Sequence, residues 1–473
     1  MAHTRKYKMY MIIAFLIYFC TLTTIGIYFY RQNKNASDYI IGNRSINYFV
    51  TAIATQASDM GVWLFMAFPA AVYVNGLFEC WTAIGLTACM FLNWHFIAPR
   101  LRQETERYDA LTLSSYFSQR FNDNSGLLRI LSAIITLWFF TAYIASAIVG
   151  LGKLFSTAFS IDYNSGMIIG LLCGLTYTLI GGFIAVAWCN LFQGLFLLMM
   201  IILVPVCTYF YVGGFSPILA AATAKNIPLS LFNPEHSVLT ALSLAAGWGL
   251  GYFGQPHILI NFMGIDDPKK ISSAKWVGIT WQIMVLTAAT MIGITGLAFT
   301  SATLGNPELL FIVITKTLFF PLLAGFVLCA ILAATLSTMD CHILVAGSTY
   351  AEDIYNIVYK KNAHSAQLMW ISRMASMIIS AIALYIASYN NNSVYNLVNY
   401  AWSGTGSAFG PLVITALYSN YVTRNGAIAG MIVGALVSGI WPWVTNSSIL
   451  PLVPGFFCGL MTIYFASWIS KNK

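Results

Sequence analysis

Two aspartates of this 473-residue chain lie inside long apolar stretches, where an ionised carboxylate is costly. Asp59 belongs to the run ASDMG at 57–61, and Asp340 follows the hydroxyl pair Ser337-Thr338. Ser337, Asp340 and Cys341 are spaced i, i+3 and i+4, so they share one face of a helix. Hydroxyl and carboxylate oxygens suit a hard cation, and a buried acid can also hold a proton. The pattern therefore indicates cation or proton binding inside a membrane.

Residues for covalent catalysis are missing from the sequence. We find no nucleophile–base pair, no His/Cys metal cluster and no phosphate-binding loop. The nine Cys residues are scattered without CxxC spacing, so neither a metal nor a disulfide framework is indicated. We therefore do not expect an enzyme.

The elements that must position these residues are membrane helices. Hydrophobic residues make up 59% of the chain and charged residues 8%, against about 25% charged in an average soluble domain. We predict an all-α integral membrane protein with about 13 transmembrane helices of about 20 residues each, forming one transporter domain over 1–473. The predicted spans 1 to 13 are 9–30, 46–74, 79–98, 127–152, 164–187, 189–211, 237–262, 276–300, 318–348, 369–389, 395–419, 425–443 and 449–469.

The basic residues predict the orientation. The net charge of +8 could suggest a nucleic-acid partner, but a cytoplasmic C-terminus places most Lys and Arg in inside loops. These include Arg31, Lys34, Arg44, Arg100, Arg102, Arg107, Arg120, Arg129, Lys269, Lys270 and Lys275. The exceptions are Arg5, Lys6 and Lys8, which this orientation places outside. We predict a multi-pass protein of the bacterial inner (plasma) membrane, with its N-terminus outside and no nucleic-acid partner.

Spans 2 and 7 are predicted to be interrupted helices. Span 2 carries Asp59 and then Pro69, and span 7 has four glycines and Pro256 within 247–257. Interrupted spans in corresponding positions of two halves are typical of inverted-repeat transporters, with the site at the breaks. We predict two five-span repeats, spans 2–6 and 7–11, over a core of roughly 46–419. Spans 1, 12 and 13 are then peripheral. The alternative is that the glycines only allow close helix packing.

Over almost its whole length the sequence resembles the sodium:solute symporter family. The motifs that carry the resemblance are DYI at 38–40, ASDM at 57–60, LTL at 111–113, YF at 116–117, FFT at 139–141, the run Trp248–Leu259, ST at 337–338, AED at 351–353 and RNGA at 424–427. The resemblance implies the leucine-transporter fold and secondary active uptake of a small solute with Na⁺ as the co-transported ion. The match is with the bacterial proline carriers of the family, so L-proline is the expected solute.

The resemblance also implies an ion site. Backbone carbonyls of Ala57, Met60 and Ala334, with the hydroxyls of Ser337 and Thr338, would bind Na⁺. The alternative for the two hydroxyls is back-bonding to the helix carbonyl four residues earlier.

A solute site between spans 2, 4 and 7 follows from the same resemblance. Tyr143, Trp248, Tyr252 and Pro256 would contribute to it. Aromatic faces suit the ring of a proline zwitterion, and exposed half-helix N-termini suit its carboxylate. The alternative is that these aromatics belong to a membrane-interface belt.

Two further residues would act in coupling. Asp59 would lie near the Na⁺ site rather than bind the ion directly, or it is a hydrogen-bond staple of the broken helix. Arg44, just before span 2, matches an arginine that matters for coupling in the family, and the alternative is a positive-inside residue.

Three departures from the proline-carrier pattern concern specificity and coupling. Gly61-Val62 stands where the carriers have Ser-Gly, so Gly61 is a candidate determinant of the solute. Asn190 replaces an aspartate at the start of span 6, and Asp340 replaces a serine in span 9. In some members the matching face forms an additional Na⁺ site, so Asp340 would bind a second Na⁺ or a proton. The alternative is a neutral, structural Asp340 bonded to Asn190 or His342.

Other functions compete with proline uptake. They are Na⁺- or H⁺-coupled transport of another amino acid or small carboxylate, a transporter-like nutrient sensor with a separate signalling partner, and a passive channel. A channel needs a continuous polar pore, which paired broken helices do not favour. The expected partners are the small solute and the lipid membrane, and no protein partner is required.

Overall fold

A computed structural model describes residues 2–30, 35–233, 237–300, 304–359, 363–389, 393–445, 447 and 449–472. Arg31 and Lys34, two of the predicted inside residues, lie outside these ranges. The part of the chain that is described contains long helices, short connecting helices and a single isolated bridge, with no strand.

A helix or a pair of half-helices occupies each predicted span. In order, the helices are Ala2–Tyr30, Tyr48–Asp59 with Ala67–Asn75, Cys80–Leu92 with Asn93–Ile97 and Ala98–Arg107, Leu127–Phe159, Tyr163–Tyr211 for spans 5 and 6, Val238–Gly249 with Pro256–Met263, Ile271–Phe299, Pro321–Thr349, Ser365–Ala387, Val394–Tyr418, Arg424–Val444 and Leu452–Lys471. Short helices Ala36–Ile41, Leu113–Arg120, Phe215–Ala224 and Leu310–Leu318 lie between them.

Nine segments among the described residues are long and apolar enough to cross a membrane by themselves. Span 2 contributes only its second half, from Val62, to these segments, and spans 7 and 11 contribute none. Spans 2 and 7 are interrupted, as predicted, and span 11 carries several Asn, Ser and Gly residues. Interruption or polar content therefore explains why these three spans do not form full-length apolar segments.

The boundary between spans 5 and 6 differs from the prediction. The sequence analysis ended span 5 at 187, whereas the backbone turns at Gly182, which has φ 60° and ψ −167°. Such an angle pair is open to glycine and strained for other residues. Because 181–211 forms the second segment, Asn190 lies more than two turns inside span 6 and not at its start.

Span 9 is the centre of the bundle. Its most apolar window is 83% buried, against 28% for span 1 and 33% for spans 12 and 13. Spans 4, 5 and 6 pack against it, span 1 covers spans 6 and 9, and spans 12 and 13 pack on span 11. Polar residues of span 9 consequently have protein on every side.

Candidate ion and solute site

The break in span 2 meets span 9 at a glycine. Helix Tyr48–Asp59 stops at Met60, whose φ of −80° and ψ of 65° leave the helical region. The next residue is Gly61, where an added Cβ would lie 2.9 Å from Thr338 Oγ1 and 3.2 Å from Thr338 Cβ. Glycine therefore lets the break approach Thr338 closely, and a serine at this position requires the two spans to separate.

The five predicted ion-site residues are brought together around this contact. Ser337 Oγ lies 2.7 Å from Ala57 O and 3.0 Å from Ala334 O, and its one proton can be donated to either carbonyl. Met60 precedes the glycine that packs on Thr338. Thr338 Oγ1 is buried without a hydrogen-bond partner. The back-bonding alternative is therefore wrong for Thr338, and Ser337 also reaches across to span 2.

The donor set fits Na⁺. All of the groups are uncharged oxygens, and the residues that carry them are at most 1% exposed. An unpartnered hydroxyl close to backbone carbonyls suits a hard monovalent cation. No group of three or more His, Cys, Asp or Glu that could hold a metal occurs among the described residues.

Asp59 connects the two broken spans. Tyr252 Oη donates to Asp59 Oδ2 at 2.5 Å, and Gln282 Nε2 donates to Tyr252 Oη at 3.2 Å. Asp59 Oδ1 is buried without a partner. Within span 2, the Asp59 carbonyl accepts from Trp63 Nε1 at 3.1 Å. The carboxylate therefore links the two breaks through Tyr252, and its second oxygen has no hydrogen-bond partner.

Side chains of spans 3 and 11 hold the break in span 7. Asn93 Nδ2 donates to Tyr252 O at 3.0 Å, and Trp402 Nε1 donates to Trp248 O at 2.9 Å. Gln255 Nε2 in turn donates to Trp402 O at 3.1 Å. The first two bonds are accepted by carbonyls of span 7 at its break, and the third ties the break to span 11. The glycine-packing alternative holds at Gly254, where a Cβ would collide with the backbone of span 11.

The predicted solute residues are buried, and the structure divides them into two groups. Trp248 stacks on Trp63 with ring centroids 6.1 Å apart and lines a cavity of about 10 Å³ with Glu79. Pro256 lines a separate cavity of about 20 Å³. Because about 10–15 Å³ is needed for a single water, neither cavity admits an amino acid.

The burial of these aromatics contradicts a simple interface belt. Tyr143, Trp248 and Tyr252 are between 0% and 4% exposed. A groove of about 800 Å³ lies elsewhere and is lined by apolar residues, among them the exposed Ile378 and Ile382. A groove of that composition suits lipid and not a polar solute.

Arg44 closes one side of the bundle. Its guanidinium donates to Met263 O at 2.9 Å, to Thr105 O at 2.9 Å and to Ala110 O at 3.0 Å. The isolated bridge between Ile46 and Ile265 lies beside it. Arg44 thus ties the start of span 2 to the end of span 7, which is more than a loop charge that sets orientation would do.

Asp340 and Asn190 have different partners. Thr178 Oγ1 donates to Asp340 Oδ1 at 2.7 Å, and Tyr177 Oη donates to Asp340 Oδ2. Asn190 Nδ2 contacts Cys341 Sγ at 3.2 Å instead. The predicted alternative, a bond from Asp340 to Asn190 or His342, is therefore wrong. The residues that hold the acid are on span 5.

Sequence reasoning missed four residues of this interior. Tyr177 and Thr178 carry no local signal, because a Tyr-Thr pair in an apolar helix is ordinary. His257 and His342 were left without a role, although their rings lie only 4.1 Å apart. A search for polar residues on the buried faces of spans 5, 7 and 9 would have found all four.

Two interrupted helices whose breaks meet at buried oxygens, in a chain with many apolar helices, are the arrangement expected of a multi-pass membrane transporter. The sequence profile described as "Sodium:solute symporter family" matches residues 39–434, and the chain belongs to that family. It is a transporter rather than an enzyme.

Relatives and solved structures agree with this assignment. The chain is 40% identical to the sodium/proline symporter of Escherichia coli (strain K12), over 98% of this chain and 93% of the relative. It is 39% identical to the high-affinity proline transporter of Bacillus subtilis (strain 168), over 94% and 95%. A substrate-bound, outward-open Na⁺-coupled sialic acid symporter superposes with a TM-score of 0.83 at 17% identity, covering 97% of this chain and 98% of that one. MhsT in complex with L-phenylalanine superposes with a TM-score of 0.59 at 12% identity, over 90% and 99%. The predicted leucine-transporter fold is confirmed.

Proposed function

We propose that this transporter couples entry of Na⁺ to uptake of L-proline. The observation that carries the proposal is the junction of spans 2 and 9, where an unpartnered Thr338 hydroxyl and the Ser337 hydroxyl face the carbonyl end of a broken helix. The relatives that cover nearly the whole chain at about 40% identity are proline symporters. One Na⁺ moving down about 100 mV and a tenfold gradient releases roughly 3.7 kcal/mol, enough for a few hundredfold accumulation.

The alternative solute is a zwitterionic amino acid other than proline. A side chain at Gly61 would meet Thr338, whereas the proline carriers have a serine at this position, so Gly61 supports a difference in the solute. A different residue at this position changes which ring or side chain the site accommodates. The groups that bind the amino and carboxylate groups of the solute stay the same.

We place the protein in a bacterial inner membrane with its C-terminus cytoplasmic. Arg44, Arg102 and Arg129 all make buried or half-buried contacts at one end of the bundle. Lys153 and Glu308 pair at 2.6 Å at the other end of span 4. An excess of Arg at the first end supports a cytoplasmic assignment for it.

Uptake of labelled proline into proteoliposomes, with and without an inward Na⁺ gradient, tests the proposal. Accumulation above equilibrium only with the gradient is expected. Gradient-independent equilibration would instead indicate a channel, and binding without uptake would indicate a sensor. Accumulation driven only by a pH gradient would replace Na⁺ with H⁺.

Replacing either hydroxyl of the ion site should lower the apparent affinity for Na⁺. We expect Ser337→Ala and Thr338→Ala each to raise the Na⁺ concentration for half-maximal uptake by about 3- to 10-fold, since each removes one oxygen from the ion. Thr335→Ala is a matched control, because the buried Thr335 hydroxyl on the same helix already bonds Ile331 O at 2.6 Å, whereas the Thr338 hydroxyl has no partner. Unchanged Na⁺ dependence in both test variants would remove this site from consideration.

The aromatic residues at the break of span 7 should affect the solute. We expect Trp248→Ala and Tyr252→Ala to raise the KM for proline by about 3- to 10-fold or more, because each loses ring contacts at the site. Trp443→Ala is the control, since this ring is 87% exposed. The measurement is initial uptake rate against proline concentration, with membrane insertion checked by immunoblot. If proline neither enters nor competes with any transported solute, Gly61 and Val62 are the first positions to replace, with the Ser-Gly pair of the proline carriers.

A further inference from the structure

Two buried histidines meet in the centre of the molecule, and most of their ring nitrogens lack partners. His257 and His342 are both 0% exposed, and their ring centroids are 4.1 Å apart with planes inclined at 36°. Both nitrogens of His257 and Nε2 of His342 are without hydrogen bonds. Since a buried polar atom without a partner costs free energy, three such atoms at one place need hydrogen bonds from a bound molecule or from water.

The hydrogen bond that His342 does make fixes its tautomer. His342 Nδ1 lies 2.7 Å from the carbonyl oxygen of Thr338, which can only accept. Nδ1 therefore carries the proton, and Nε2 presents a lone pair to its surroundings. A group that satisfies Nε2 must donate an N–H or O–H.

Tyr143 completes the cluster from span 4. Its ring stacks on His342 at 4.2 Å and an interplanar angle of 25°, and its hydroxyl is also buried without a partner. Phe140, one turn away, packs edge-on against His342 at 4.4 Å and gives the cluster an apolar wall. The unpaired groups comprise at least two donors, Tyr143 O–H and one N–H of neutral His257, and at least two acceptors.

The cluster is continuous with the residues assigned to the solute and the ion. His257 directly follows Pro256 at the start of the second half of span 7. His342 lies one turn beyond Thr338 on span 9. The ring nitrogens are on the edges of the stacked rings, so a ligand can reach them without separating the stack. A mixed set of donors and acceptors beside an apolar wall complements a molecule that carries both a carboxylate and an ammonium group.

We propose that His257, His342 and Tyr143 bind the zwitterionic head group of the transported amino acid. His342 Nε2 accepts a hydrogen bond from the ammonium or imino group, and Tyr143 O–H and the His257 N–H donate to the carboxylate. The apolar part of the solute packs on Phe140. This subsite rests on the proposed function as an amino-acid transporter and adds the residues that would distinguish an amino acid from a plain carboxylic acid.

The test compares proline with an analogue that lacks the donor. In L-tetrahydrofuran-2-carboxylate an ether oxygen replaces the ring NH₂⁺, while the ring and carboxylate stay. Inhibition of labelled proline uptake gives the preference of the parent for proline over this analogue. His342→Met and His342→Gln are closely matched in length, but only Gln keeps an acceptor. We expect Met to reduce the preference at least tenfold and Gln to retain most of it, since one tenfold step corresponds to about 1.4 kcal/mol.

His257→Phe provides an independent arm, because it keeps the stacking and removes the donor to the carboxylate. This variant should weaken the binding of proline more than the binding of prolinamide, because the neutral amide of prolinamide depends less on that donor. His95→Phe is the control, because His95 stacks on Phe91 at the periphery and contacts Lys275. All variants are checked for amount in the membrane and for Na⁺ half-saturation at saturating proline, which should stay within about twofold of the parent.

A different result is expected if His257 and His342 are purely structural or bind only buried water. The Met and Phe variants would then lose uptake of every compound in proportion, with unchanged preferences, and this outcome overturns the subsite. A thermal-stability screen of the parent with the twenty amino acids separates this failure from that of the proposed solute. If another amino acid binds and proline does not, proline is rejected as the solute but the subsite is not. The comparison is then made with that amino acid and its des-amino analogue. If no amino acid binds, the subsite falls as well.

Discussion

Asp59→Ala is expected to abolish Na⁺-stimulated uptake while the protein still reaches the membrane. The side chain is 1% exposed, one oxygen accepts from Tyr252 at 2.5 Å, and the other has no partner. A charge several Å from Na⁺ in a poorly solvated site contributes about 2–4 kcal/mol, so its removal should weaken ion binding roughly 30- to 700-fold. This is the largest effect that we expect from any single change near the ion site.

Two milder variants separate the charge of Asp59 from its role as a staple. Asp59→Asn keeps an acceptor for Tyr252 and removes the charge, whereas Tyr252→Phe removes the staple and keeps the charge. If charge matters most, Asp59→Asn should behave almost like Asp59→Ala, and Tyr252→Phe should shift Na⁺ dependence only slightly. The measurement is initial uptake against Na⁺ concentration. Near-normal Na⁺ dependence in Asp59→Asn would show that the carboxylate acts only through its hydrogen bond to Tyr252.

The interruptions were predictable because glycine and proline act locally. The four glycines and the proline within 247–257 disfavour a helix regardless of the rest of the chain. An acid in the middle of span 2 is a similar signal, since hydrocarbon tolerates it only where protein or an ion compensates. The site residues of spans 2 and 9, by contrast, were assigned from a family resemblance, and the structure shows the contact, Ser337 to Ala57, that brings these spans together.

The remaining features depend on pairs of residues that are far apart in the sequence. Nothing near Thr178 indicates that it faces Asp340, and nothing near His257 indicates that His342 stacks on it. Such pairs arise only when whole helices pack, so periodicity and composition do not reveal them. The kink at Gly182 was missed for a different reason, because no charge or proline interrupts the apolar run and a Gly-Gly pair is common in membrane helices.

Asp340 is held by hydroxyls and by no cationic side chain among the residues that the structure describes. Thr178 and Tyr177 donate to its two oxygens, and Gln193 Nε2 lies 3.4 Å from the Tyr177 hydroxyl. The Oε1 atom of Gln193 is buried without a partner. A fully buried carboxylate surrounded by oxygens is a candidate to bind a second Na⁺ or a proton, and we propose that it does so during transport.

Asp340→Asn should therefore lower concentrative uptake by roughly tenfold or more, since an ion or proton loses its only nearby charge. Uptake is measured against Na⁺ concentration and against pH. Loss of cooperativity in Na⁺ would assign a second Na⁺ site, and loss of pH dependence would assign a proton site. Thr176→Ala is the control, because Thr176 is exposed on the same helix as Thr178 and bonds Cys173 O at 2.8 Å.

The exchanged variant Asn190→Asp with Asp340→Ser tests whether the two positions share one site. Asp340 is bonded to span 5, whereas Asn190 reaches Cys341, so the structure predicts that moving the acid restores uptake only in part. Tyr177→Phe should reproduce some of the Asp340→Asn defect, because it removes one donor and leaves the charge. Full recovery in the exchanged variant would show that the site lies between the two positions and not at span 5. Parent-like transport by Asp340→Asn at every Na⁺ concentration and pH would leave the carboxylate with a structural role alone.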